Sequence, residues 1–415
     1  MEEMKVITAK IGKVDPVSAK EYAALGGYSA LRKALAMSGD DIIGELNESK
    51  LRGRGGAGFP VGRKWSFVAG TAADQKYVVC NADEGEPATK KDRILMCGDP
   101  HGMLEGMIIC GHAVGANKGY IYLRAEYPYL FPVLEGAIES ALQEGYLGKN
   151  ILGSGFDFEI DVISGGGAYI CGEETALLES IEGKIGEPRF KPPFPGVSGL
   201  YGKPTVVNNV ETFSNVPIVI ERGAQWFKTI GTPESTGTKL FTLSGNLNRR
   251  GVVELPMGVN LKDIIYDIGG GIQDENGILG VHIGGASGPI INSAQIDRIL
   301  DIDHDLGAGD VMVIDNTNDI LDVVENLLEF FVHESCGKCT PCREGNTRLY
   351  QIICNIRRGR GKYGDIKILE DLGEAMLDTA LCGMGQTSPI PVLSTIENFR
   401  STYERAIERG QQTEW

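Results

Sequence analysis

The sequence predicts a mixed α/β chain that passes into a helical bundle, and three observations carry that prediction. Strand-like and helix-like segments alternate over the first half. From about residue 239 to 291 the texture changes to short alternating strands and frequent glycines, and residues 322–409 are nearly all helical in pattern around a run of cysteines. At 415 residues the chain exceeds one ordinary core. The texture divides it into a helical segment at 1–50, an α/β layer domain at 51–235, a small β-grasp (ubiquitin-like) module at 236–320 and a helical bundle at 321–415.

In chain order, residues 28–35 and 40–46 carry apolar side chains at three and four spacing and predict short helices. A glycine-rich loop follows. Residues 76–80 read as a buried strand that ends in Asn81, Asp83, Glu84 and Glu86. Strand ends of this kind are where α/β sheets place ligands, although a solvated acidic turn is the plainer reading. Next come a buried helix at 104–116, a strand at 120–124, a helix at 131–144 and a strand at 158–163 that runs into Gly165-Gly-Gly and a helix from Glu173. Glu173 and Glu174 at that junction also suit the positive end of a helix dipole. Proline and glycine dominate 186–204, strands are expected at 240–244 and 251–255, and a helix at 261–268.

Hydrophobic residues at 42% and charged ones at 23% exclude disorder, and no run of eighteen apolar residues exists to span a bilayer. The first residues, Met-Glu-Glu-Met-Lys-Val, show no export signal, so a cytoplasmic protein is expected. A net charge of -16 argues against nucleic acid as a partner. An anionic ligand must be held by local donors.

Gly53-Arg-Gly-Gly-Ala-Gly-Phe-Pro60 contains a formal G-x-G-x-x-G, but a helical pattern precedes it where a dinucleotide fingerprint needs a strand. Its glycines still let backbone N–H groups converge on an anion or flat ring, and Arg54, Arg63 and Lys64 can add positive charge. A plain surface loop is the alternative.

The nine cysteines are odd in number and suit reduced thiols and metal ligands better than disulfides. Cys336, Cys339 and Cys342 bring three thiolates round one loop, as the corner of an iron–sulfur cube requires, and Cys382 between glycines is the fourth candidate. Cys354, in an apolar helical pattern, is the rival fourth ligand. Zinc is the rival metal, though its structural sites usually come as two separated pairs. No catalytic histidine is expected, and His333 reads as a helix-end residue.

In order along the chain, the glycine loop, Asn81-Ala-Asp-Glu-Gly-Glu-Pro, Gly167-Ala-Tyr-Ile-Cys-Gly-Glu-Glu-Thr-Ala-Leu, Lys191-Pro-Pro-Phe-Pro, Val207-Asn-Asn-Val-Glu-Thr and Glu334-Ser-Cys-Gly-Lys-Cys-Thr-Pro-Cys-Arg resemble the flavin-bearing, NADH-oxidising subunit of respiratory complex I. The same subunit type serves as the diaphorase of NAD-linked hydrogenases and formate dehydrogenases. The resemblance implies a Rossmann-like α/β domain that holds FMN non-covalently near Gly53, Arg54, Gly55, Lys64, Asn81, Asp83, Glu84, Gly172, Glu173, Asn208, Asn209 and Thr212. It implies nicotinamide near Tyr169 and Glu174, adenine against Phe59, Phe67 and Phe194, and Glu86 facing the adenosine ribose, which favours NAD over NADP. It further implies one 4Fe-4S cluster on Cys336, Cys339, Cys342 and Cys382, with hydride passing from NADH to FMN and electrons then moving singly to the cluster.

Implied partners are a small thioredoxin-like 2Fe-2S protein and a larger multi-cluster iron–sulfur, hydrogenase or formate dehydrogenase chain. Through them this chain would sit peripherally on the inner face of a membrane. Ala88 departs from the family's usual glycine, and Arg63 and Lys90 add charge near the expected cleft. The absence of extra cysteine-rich segments at either end favours complex I or a simple NAD-linked enzyme over a bifurcating hydrogenase. A zinc-clasped interaction module without enzymatic activity is the distant alternative.

Overall fold

The computed structural model describes residues 2–413. Four parallel strands, β1 (Tyr77–Ala82), β2 (Lys118–Leu123), β3 (Glu159–Ser164) and β4 (Thr205–Asn209), form one sheet in the order β3-β2-β1-β4. The sheet is covered on both faces, and alternate residues of β1 enter opposite cores. Val78, Cys80 and Ala82 pack with the amino-terminal helices, whereas Val79 packs towards the carboxy-terminal ones. The chain leaves β1 outward to β2 and β3 and returns on the other side as β4. The carboxyl ends of β1 and β4 therefore flank the topological switch point, the place where open α/β sheets leave a crevice.

The helices Pro100–Val114 and Val210–Arg222 cover one face of this sheet. The first starts where Asp99 accepts from Gly102 N at 3.3 Å with Pro100 next in line, and it stops at Gly115 in the left-handed conformation (φ 74). Gly106 lets the two helices close, since a Cβ there would stand 2.1 Å from the Phe213 carbonyl oxygen. Phe213 and Trp65 are fully buried in this core, each stabilising the fold by about 1.5–3 kcal/mol through apolar burial.

A second sheet follows. Its strands are β5 (Thr238–Gly245), β6 (Gly251–Pro256), β8 (Ile278–Ile283), β9 (Ile290–Asn292) and β11 (Asp310–Asp315), in the order β6-β5-β11-β8-β9, while β7 (Val259–Asn260) and β10 (Ile299–Leu300) pair as a separate ribbon. One face, with Phe241, Leu243, Val281, Ile283, Val311 and Val313, closes its own core, and Ile290 and Ile314 pack with the terminal helices. The Glu254 carboxylate on β6 accepts from the backbone N–H groups of Val6, Ile7 and Thr8 at 2.9–3.0 Å, which ties the start of the chain to this sheet.

The last part is helical: Ile320–Glu334, Thr340–Arg357, Asp365–Thr379, Gly383–Thr387 and Ile390–Thr413, the last bent at Phe399. Asp319 caps the first by accepting from Leu321 N at 2.9 Å, and Leu321, Val324, Leu328 and Phe331 form its buried stripe. Among the described residues no helix is long and apolar enough to cross a membrane.

Candidate functional site

The glycine loop is a closed turn at the mouth of the crevice. Gly53 N donates to Phe59 O at 2.9 Å, Arg52 Nε donates to Gly58 O at 2.7 Å, and Gly56 (φ 122) and Gly58 (φ 61) adopt backbone that other residues avoid. At Gly55 a Cβ would meet the Cβ of Asn209 at 3.0 Å, so loop and β4 end are in close approach.

Arg54 departs from expectation. Its backbone N–H donates to Thr212 Oγ1 at 2.9 Å, but its guanidinium turns inward and is 1% exposed. It donates to the carbonyls of Thr236 (2.6 Å), Arg52 (2.9 Å) and Thr238 (3.1 Å). Burial lowers its pKa to about 10. The side chain pins the loop to the second sheet through three backbone carbonyls.

At the end of β1, Asn81 Nδ2 donates to Gly172 O at 2.7 Å, and Asn81 Oδ1 accepts from Asp83 N at 3.2 Å. Asp83 Oδ2 is buried without a partner, and burial raises this carboxyl to about 7. Glu84 caps the helix Lys91–Gly98, accepting from Asp92 N at 2.7 Å and Arg93 N at 3.2 Å. Glu86 accepts from Tyr169 Oη at 2.8 Å and from Ala286 N, and burial raises it to about 7 as well. Asn208 accepts from Trp65 Nε1 at 3.1 Å, while Asn209 caps the helix Val210–Arg222.

Opposite these lies a chain of half-buried ion pairs. Lys64 Nζ donates to Val207 O at 3.0 Å and stands 3.3 Å from Glu174, and Lys191 bridges Glu174 (3.0 Å) and Glu173 (2.8 Å). The lysines hold the Glu174 carboxyl below its ordinary range against the cost of burial. Glu173 also caps its own helix, accepting from Thr175 N at 2.8 Å. Phe59, Phe67 and Phe194 are 41%, 49% and 59% exposed, and the Arg63 guanidinium lies 5.9 Å and 5.7 Å from the Phe59 and Phe67 rings.

Cys336, Cys339, Cys342 and Cys382 line one small cavity with Ile170, Pro188, Lys338 and Met384. Asn346 Nδ2 and the Ser335 hydroxyl lie 3.3 Å and 3.2 Å from Cys342 Sγ. Gly385 makes room, since a Cβ there would meet Cys342 Cβ at 3.0 Å. Burial pushes the Cys382 thiol up to about 11, so metal binding must release its proton. Cys354 lies elsewhere on the helix Thr340–Arg357, in a groove with Tyr350 and Arg358. Among the described residues no three metal-ligating side chains converge as a single ion would need. Four sulfurs round one cavity are the donor set that an iron–sulfur cluster takes.

Residues 46–218 match the model of the Nuo51 FMN-binding domain, and residues 322–406, which include all four cavity cysteines, match the NADH-ubiquinone oxidoreductase-F iron-sulfur binding region. The NADP-reducing hydrogenase subunit HndC of Solidesulfovibrio fructosivorans is 47% identical over 98% of this chain and 84% of its own. This chain belongs to the Nuo51 (51 kDa) family of FMN- and 4Fe-4S-binding proteins. Within that family, an NADH-quinone oxidoreductase chain of Rhizobium meliloti is 46% identical over 93% of this chain and 94% of its own. An NAD+-reducing [NiFe]-hydrogenase in the H2-reduced state superposes with TM-score 0.87 at 36% identity, over 98% of this chain and 67% of the solved one.

Membership of the Nuo51 family decides between cluster and zinc in favour of the cluster. The crevice residues are compatible with that family's FMN: Asp83 keeps a buried oxygen without a protein partner, and Gly55 lets the loop approach Asn209 closely. Sequence reasoning missed the inward turn of Arg54 and the buried ion pairs behind Asn209, because neither leaves a local pattern.

Proposed function

We infer that this chain is the NADH-oxidising flavoprotein component of a larger electron-transfer assembly, either a complex I or an NAD-linked hydrogenase. One observation carries the reading. The segment Tyr169–Gly172 is a wall shared by both sites: Ile170 lines the cysteine cavity, while Gly172 O accepts from Asn81 at the end of β1. The backbone N–H of Tyr169 donates to Glu334 Oε2 at 2.7 Å, two residues before Cys336, so the same turn is bolted to the cluster loop. FMN, when bound, accepts a hydride's two electrons and gives them up singly.

The protein's contribution is placement. We assign the flavin to the cradle of Gly53, Gly55, Asn81, Asp83, Asn209 and Thr212, with Lys64 and Glu174 towards the nicotinamide and the exposed rings of Phe59, Phe67 and Phe194 towards the adenine. Glu86, at the exit of β1, disfavours a dinucleotide carrying an extra phosphate, which makes NADH the preferred substrate. A relative that acts in NADP reduction makes this the point to test. Steady-state reduction of ferricyanide should be faster with NADH than NADPH, and equal or inverted rates would refute the preference. Glu86→Gln should narrow the ratio.

The order β6-β5-β11-β8-β9, with β5 and β11 parallel at the centre and a short helix after β6, supports a β-grasp reading of the second sheet. The division at 1–50, 51–235, 236–320 and 321–415 is our working boundary set. We assign a thioredoxin-like 2Fe-2S protein and a multi-cluster chain as the partners that receive the electrons, in an assembly on the cytoplasmic side.

A further inference from the structure

We propose that Lys239, on the second sheet, is a positioning residue for the flavin cradle, acting through Glu211 and Lys91 to fix Asn209. The inference rests on the flavin reading above. Lys239 Nζ donates to Glu211 Oε2 at 2.6 Å, and Leu240 N donates to Glu211 Oε1 at 2.8 Å. Lys91 Nζ stands 3.1 Å from the same Glu211 oxygen and donates to Asn209 Oδ1 at 3.0 Å and Asp92 Oδ1 at 2.8 Å. Asn209 Nδ2 in turn donates to Asp92 Oδ2 at 2.6 Å.

The side chains of Lys91, Asp92, Glu211 and Lys239 are 2%, 4%, 0% and 0% exposed, and their two positive charges balance two negative ones. Away from water, each ammonium is committed by that balance. Glu211 takes its shorter ion pair from Lys239 (2.6 Å) and shares Lys91 (3.1 Å) with Asp92 and Asn209. Without the Lys239 charge, Glu211 retains Lys91 as its sole cationic partner in this group, and a buried carboxylate outcompetes a neutral amide oxygen for an ammonium. Lys91 is then drawn off Asn209, whose side-chain oxygen keeps the Glu211 backbone N–H as its one remaining donor and whose amide is held less firmly next to Gly55. The second sheet thus sets the shape of a pocket built by the first.

The test strips FMN from the cluster-bearing protein and measures rebinding by flavin fluorescence quenching in Lys239→Met, Lys239→Gln and Lys239→Arg. The two charge-removing variants should bind FMN at least about tenfold more weakly, with the cluster's spin-resonance signal unchanged, and Lys239→Arg should recover to within about threefold of wild type. Wild-type affinity in either folded charge-removing variant overturns the proposal. So does failure of both to yield folded, cluster-bearing protein, because Lys239 is then a folding residue. If the wild-type chain itself does not rebind FMN, the functional reading is what fails.

Discussion

Replacing Arg54 with methionine separates an anion clamp from a structural strut. The guanidinium is 1% exposed and donates to three backbone carbonyls, one just before the glycine loop and two in the segment leading into and opening β5. Methionine preserves much of the apolar stem and removes every donor. Each buried acceptor left unsatisfied costs about 1–3 kcal/mol, and water reaching the loop side recovers part of that, so the substitution should destabilise by about 3–5 kcal/mol. Burial holds the arginine at about 10, still charged throughout the neutral range, so the loss should be constant between about pH 6 and 8. The assay is urea denaturation of wild type and variant at both pH values, followed by intrinsic fluorescence. A loss below about 1 kcal/mol would refute the strut, and a variant of wild-type stability whose flavin affinity became salt-insensitive would restore the clamp.

Cys382→Ala should abolish or convert the cubane spin-resonance signal, while Cys354→Ala should leave it intact; the reverse pattern would move the fourth ligand. Asp83 carries a carboxyl raised to about 7, so between about pH 4 and 7 the unfolded chain ionises it and the folded one does not. Its contribution to stability is therefore full below that window and lost as pH rises through it. Asp83→Asn should flatten the fall of melting temperature over this range and melt higher than wild type at pH 8, and an unchanged slope would contradict the burial argument. Ala88 sits at φ 70, in the left-handed region where a Cβ is crowded, so Ala88→Gly should stabilise by about 0.5–1 kcal/mol in the same denaturation assay. Lower stability would show that the strain is absent.

The parts of this fold that announce themselves in sequence are those with a short-range physical rule. The 77–80 stretch of β1 is an apolar run buried between two layers, and the helix Ile320–Glu334 shows its stripe at three and four spacing. The cysteine triplet is legible because ligand spacing within one loop is itself the chemistry. β4 escaped because it is five residues long and ends in two asparagines, and the helix Val210–Arg222 because Pro217 in its middle reads as a breaker. The inward turn of Arg54 and the Lys91–Glu211–Lys239 group had no signal at all. Thr238 lies 184 residues from Arg54 and Glu211 lies 28 from Lys239, and only the closure of one sheet on another takes these pairs out of water. Glu84 is a nearer case, its carboxylate serving a helix start eight residues on. Family resemblance puts Arg54 and Glu84 near the cleft, whereas the structure shows what each side chain touches.

The proposed linkage of a flavin site to the iron–sulfur site through the turn Tyr169–Gly172 is tested most directly by mixing FMN-loaded protein anaerobically with NADH. The sample is frozen rapidly, and its spin-resonance spectrum is recorded beside its iron and FMN content. The expected result is one FMN and four irons per chain, with a reduced-cluster signal that grows with NADH and is missing when FMN is stripped. Zinc in place of iron, or a cluster that NADH reduces equally well without FMN, would contradict it.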